Sequence, residues 1–136
     1  MSIEYTDSLE NITPEHLQGF FVGWPNPPSP AIHLKILQGS DAVELAIDTE
    51  AGRVVGFTTG LTDGVITSYI SYLEVLPQYQ GRGIGSELTR RVLRRFANLY
   101  GVSLHCDEDL QPFYARFGME RALGMMLRRY EHQSGE

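Results

Sequence analysis

Between Ile66 and Phe96 the chain reads ITSYISYLEVLPQYQGRGIGSELTRRVLRRF, and this stretch restricts the fold more than any other. Its first part, Ile66–Leu76, is an apolar and hydroxyl-bearing run that predicts a buried strand, and Pro77 ends it. In its last part Ile84, Leu88, Val92 and Phe96 recur at helical spacing and continue to Leu99. Arg90, Arg91, Arg94 and Arg95 fall on the other faces, and Gly101 is placed to cap the helix. Between strand and helix lies Gln80-Gly81-Arg82-Gly83-Ile84-Gly85. A strand that passes through glycines into a helix lines up backbone N–H groups at the positive end of the helix dipole. That is a place for a phosphate to bind. One acid, Glu74, lies within the strand.

The remaining elements follow from local signals. Ile3–Thr6 reads as a short strand. Thr13-Pro14-Glu15 has the N-cap, the proline and the acid of a helix start, running to about Phe20. Gly23–Pro30 carries too many prolines for regular structure, and Phe20, Phe21 and Trp24 beside it either line a pocket or cover the core. Ala31–Leu37 predicts a second helix with Ile32, Ile36 and Leu37 on one face. Strands at Ala42–Asp48 and Arg53–Thr59 join at Glu50-Ala51-Gly52, and Asp63-Gly64 turns the chain into the strand ending at Leu76, an antiparallel meander. Val102–Cys106 reads as a strand parallel to its predecessor, because a helix connects them. Leu110–Phe117 is a short helix stopped by Gly118, Met125–Tyr130 a last strand, and His132–Glu136 a loose tail. This order predicts one α/β domain over residues 1–136, a mixed sheet flanked by helices.

A length of 136 residues suffices for a core without staples. No apolar run approaches the roughly 18 residues of a membrane span, and the N-terminus lacks a leader's basic and apolar regions. Cys106, the single cysteine, allows no internal disulfide, so a cytoplasmic protein is expected. A net charge of −6 argues against nucleic-acid binding. Lys35 and Arg53 are the only cations among residues 1–81, whereas nine arginines follow from Arg82 onward. The second half therefore suits a phosphate and the first half a cation. The sequence allows a homodimer without requiring one.

Two phosphate motifs fail here. The Walker pattern needs Gly-Lys-Ser/Thr, and the only lysine is Lys35. The dinucleotide spacing G-x-G-x-x-G is not met by G-R-G-I-G. Instead LEVLPQYQGRGIGSELTRRVL resembles the acetyl-CoA-binding motif of the GNAT superfamily of N-acetyltransferases. Gln80–Gly85 fits the signature [Q/R]-x-x-G-x-[G/A] at each fixed position. Downstream, Phe113-Tyr114-Ala115-Arg116-Phe117-Gly118-Met119 resembles the family's FYxxxGF segment, with Met119 in place of Phe. The resemblance covers about Ile66–Tyr130.

The resemblance implies a GNAT-like fold whose parallel strand pair splays at the cofactor site. It implies acetyl-CoA as co-substrate, with no metal, and transfer of its acetyl group to a primary amine. Backbone amides of Gln80, Gly81, Arg82, Gly83, Ile84 and Gly85, with Ser86 beyond, would hold the pyrophosphate, and Leu73 and Val75 would pair with the pantetheine arm. Tyr114 would protonate the leaving thiolate. Glu74 is a candidate base, although alternation turns it away from Leu73 and Val75. His105 and Asp107-Glu108-Asp109 are alternatives, and Glu108 stands where the family often has Asn. The acidic cluster could attract a cationic amine. Cys106 reads as a core residue, and one of the helix arginines could reach the cofactor's 3′-phosphate. The competing reading is a module that binds acyl-CoA without turnover.

Overall fold

A computed structural model describes residues Met1–Glu136. Its frame is the expected meander: β2 (Ala42–Asp48), β3 (Arg53–Thr62) and β4 (Thr67–Val75) pair antiparallel in chain order. β1 (Ile3–Thr6) adds antiparallel to β2, and β5 (Gly101–Ser103) adds parallel to β4. The result is a five-stranded mixed sheet in the order β1-β2-β3-β4-β5. β2 and β3 are buried along nearly their whole length, polar Glu44, Thr58 and Thr59 included, because both their faces are covered.

α1 (Pro30–Gly39) lies on one face and α2 (Ile84–Arg95) on the other. The Ser29 hydroxyl caps α1 by accepting from the Ile32 N–H at 3.2 Å, and Pro30 takes the first helical position, where its missing donor costs nothing. The helix therefore starts one residue earlier than predicted. It buries His33 and Leu37, four residues apart, leaving Ile32 and Ile36 half-buried. α2 buries Ile84, Leu88 and Val92 against the sheet. It ends earlier than Leu99 because Phe96, Ala97 and Leu99 form tighter bonds to the carbonyls three residues back. Gly101 does not cap it; its N–H goes to Ile66 O at 3.0 Å and opens β5.

Two elements differ from expectation. Residues 13–20 form only a single turn of 3₁₀ helix at Pro14–Leu17. The His16 ring accepts from the Thr13 N–H at 3.0 Å, and the chain then leaves through left-handed Gly19 and Phe21. Met125–Tyr130 is no strand. β5 lasts three residues rather than running to Cys106, so its outer edge is short, and the later segment does not pair with it. α3 (Gln111–Ala115) forms within the predicted Leu110–Phe117, and Gly118 in the left-handed region ends that stretch.

Beneath α1 the core is aromatic. His33, 1% exposed, sits 4.3 Å from Phe57, 4.9 Å from Phe21 and 5.2 Å from Phe20, centroid to centroid. Neither ring nitrogen has a hydrogen-bond partner. Burial among these rings lowers its pKa to about 4. The unfolded chain binds that proton from about pH 6.5 downward and the folded one does not. The stability His33 supports above pH 6.5 is therefore lost as pH falls toward 4, by about 3 kcal/mol in all. Urea unfolding across this range should show that loss, and His33→Leu should make the curve shallower. An unchanged slope in the variant would remove His33 as its cause.

Candidate functional site

The glycine turn forms as the sequence predicts. Gly81 and Gly83 have φ of 78° and 83°, where a Cβ would be strained, and Gly83 is the left-handed N-cap of α2. The consequence is a row of free donors. Gln80 N–H is satisfied by Pro77 O and Glu87 N–H by Gly83 O, but the six N–H groups from Gly81 to Ser86 have no acceptor. Gly85 is not required by internal packing, since a Cβ there would meet only Val75 at 3.8 Å and Phe113 at 3.9 Å. The site of closest approach to the helix end is thus open.

The strand leading into this turn loses its neighbour. β4 pairs with β5 only at Thr67–Tyr69, opposite Gly101–Ser103. Past that point a register shift leaves Ser71 without a residue opposite on β3. Its hydroxyl, like that of Thr59, is buried without a partner. Leu73 and Val75 follow on the face toward α2. The Val75 carbonyl accepts from the Gln80 side chain at 3.0 Å, so Gln80 ties the turn to the strand's end instead of extending the row of donors.

Glu74 points to the opposite face, as alternation predicts, opposite Phe57 on β3 and toward the α1 layer. Its carboxylate accepts from Phe21 N–H at 2.8 Å and from Val22 N–H at 3.3 Å. Phe21 holds φ at 62°, a strained value for a bulky residue, and this conformation presents both amides to the acid. Burial raises the Glu74 pKa, and the two N–H bonds pull against it. Beside it Phe21, Trp24 and Tyr72 pack edge-on or tilted at 4.9–6.1 Å. Of the proline-loop aromatics, Phe20 and Phe21 are core, and Trp24 is half-buried against Phe21 and Tyr72.

Tyr114 lies on α3 beside Phe113, its ring T-shaped at 5.0 Å. Burial pushes its hydroxyl up to about 12, with Cys106 adding to the rise, so it remains protonated and able to donate. No hydrogen bond joins it to Glu74. At the tip of β5, His105 Nδ1 lies 2.6 Å from the Tyr69 hydroxyl, followed by exposed Asp107, Glu108 and Asp109. Burial and the neighbouring aspartates raise the pKa of the Cys106 thiol, as suits an unreactive residue.

The basic residues divide among several partners. Arg82 turns back over the Tyr79 ring and donates to Gln78 O and Met1 Sδ, away from the free amides. Arg90 and Arg91 pair with Glu87 at 3.2 and 2.8 Å, and Arg95 pairs with buried Glu44 at 3.1 Å. Arg116, which sequence reasoning passed over, donates to the Ser86 hydroxyl at 3.4 Å and lies over Phe113 and Phe117. It is the cation that reaches the end of the row of donors. Its signal was available, two residues after Tyr114 in the second motif.

No helix is long and apolar enough to cross a membrane. Comparison with known proteins agrees with the geometry. A structure from Deinococcus radiodurans R1, assigned to the acetyltransferases, is 45% identical with a TM-score of 0.94, covering 97% of this chain and 92% of that one. A GNAT family protein from Streptococcus pneumoniae is 31% identical with a TM-score of 0.70, covering 94% and 97%. Among curated proteins, mycothiol acetyltransferase of Thermobifida fusca is 35% identical over 89 residues, 56% of this chain. That match spans only 28% of the relative's length. Residues 9–119 match the Acetyltransferase (GNAT) family, and the chain belongs to that family.

Proposed function

We propose that this protein transfers the acetyl group of acetyl-CoA to a primary amine by direct attack. The observation that carries the reading is the run of free N–H groups from Gly81 to Ser86 at the N-terminus of α2. Such a run favours a pyrophosphate, whose oxygens accept from successive amides at the positive end of the dipole. Arg116 supplies charge beside it. The open edge of β4 at Leu73 and Val75 suits the amide-bearing pantetheine arm. When bound, acetyl-CoA contributes an activated thioester, and attack by the amine yields the acetamide and the free thiol.

The chain's own groups handle the protons. Glu74, raised by burial, is suited to take one from the incoming ammonium, directly or through water. Its two N–H bonds fix its orientation and leave further lone pairs free. Tyr114 donates to the leaving thiolate. The carboxylate of Glu74 and the exposed Asp107–Asp109 cluster favour a cationic acceptor, and Trp24 and Tyr72 offer ring faces to it. One observation favours the alternative, an acyl-CoA-binding module without turnover: both Glu74 oxygens already accept a backbone N–H.

Four outcomes test this reading. Thiol release from acetyl-CoA with a panel of amines should be measurable; binding without release would favour the module. Gly85→Val should leave the fold intact and weaken acetyl-CoA binding at least about tenfold by calorimetry, since the added methyls fill the approach to the amides. Undiminished affinity would remove the turn from the binding site. Tyr114→Phe should lower kcat by roughly 10²-fold. The acid limb of kcat/KM should lie above the ordinary carboxylate range, because burial raises Glu74 and only its ionised form accepts a proton. That limb should vanish in Glu74→Gln, and its persistence would move the base elsewhere.

A further inference from the structure

The C-terminal half of α2 turns toward β1, the strand at the opposite edge of the sheet from β5. Between them lies a cavity of about 340 Å³, within the size range of a small-molecule site. Three guanidinium groups line it, from Arg91, Arg94 and Arg95, against two carboxylates, Asp7 and Glu44. The lining is therefore net positive on a chain whose net charge is −6. The cavity is separate from the row of donors at Gly81–Ser86. It lies further along α2, about 9–15 Å from Gly85 at the rise of a helix. It also opens at β1, whereas the donors begin beside β4, three strands away.

Two of these arginines are fixed before any ligand arrives. Arg91 Nε donates to Glu87 at 2.8 Å, and its guanidinium lies 4.8 Å over the Tyr5 ring. Arg95 Nη1 donates at 3.1 Å to Glu44, whose side chain is 6% exposed. Each is held through a single nitrogen, so both Arg91 Nη groups and the Arg95 Nε and Nη2 donate to nothing in the chain. Arg94 takes part in no ion pair. The Thr6 hydroxyl oxygen accepts from the Ser8 N–H at 3.0 Å, which leaves its proton to donate. Oriented guanidinium forks with free N–H groups match the oxygens of a phosphate. Opposite them, Asp7 and the second oxygen of Glu44 remain to accept, while Arg95 balances their charge.

We infer that this cavity is a second anion site, which takes a small phosphate monoester with hydroxyls on its remainder. The phosphate oxygens accept from Arg91, Arg94 and the Thr6 hydroxyl, and the ester's hydroxyls donate to Asp7 and Glu44. The bound ester ties β1 to α2 at the place where Arg91 meets Tyr5. This site does not depend on the acetyl transfer proposed above.

The test follows the arginine Nε and backbone amide resonances of the labelled protein at constant ionic strength, with inorganic phosphate and then glycerol 3-phosphate added. Saturable shifts should appear at Arg91, Arg94, Thr6 and Asp7, in the parent and in Gly85→Val alike. Glycerol 3-phosphate should bind at least about threefold tighter than inorganic phosphate, because only the ester offers hydroxyls to the two acids. Arg94→Gln, at an exposed side chain that pairs with nothing, should keep the parent's spectrum elsewhere and weaken binding at least about tenfold. Shifts that rise without saturating overturn the inference, as do shifts centred on Gly81–Ser86 that vanish in Gly85→Val. So does Arg94→Gln that binds as tightly as the parent. Glycerol 3-phosphate binding no tighter than inorganic phosphate overturns the assignment to an ester.

Discussion

The backbone at Gly81 and Gly83 takes a left-handed course that ordinary residues resist, and the site is arranged around that turn. It redirects β4 into α2 within a few residues, so the helix begins beside the strand's end with its first amides unsatisfied. Gln80 locks the arrangement by bonding back to Val75 O. Ile84 and Leu88 then anchor the helix in the main core. The same apolar contacts that fold the chain therefore hold a row of donors in fixed positions, where a ligand finds them without reordering.

On the opposite face the constraint is aromatic. Phe20, Phe21, Phe57 and His33 pack edge to face under α1, and Phe21 is held there with a backbone angle it would not adopt alone. That strain presents two amides to Glu74. The cost, of order 1–3 kcal/mol for such an angle, is sustained by the surrounding burial. Glu74 is thereby fixed on one face while Tyr114 approaches from the tip of β5.

How much of this could be read from the residues depended on how local each signal is. The meander, the parallel β5, the glycine turn and the α2 stripe were legible because their patterns lie within single elements. The loop before α1 was not. Nothing in the sequence marks Phe21 as left-handed, and its partner Glu74 is 53 positions away. Arg82 lies within the motif and turns away from it, whereas Arg116 reaches Ser86 from the second motif. Met125–Tyr130 has a strand's composition, but composition does not reveal whether an edge is available. β5 stops after three residues, and the later segment does not pair with its short outer edge.

The most direct test of the account is amide chemical-shift mapping of the labelled protein as acetyl-CoA is added. The account predicts the largest shifts at Gly81–Ser86, followed by Leu73 and Val75, with the Arg91–Arg95 face of α2 unmoved. Shifts centred on that arginine face, or none at the turn under saturating acetyl-CoA, would contradict it.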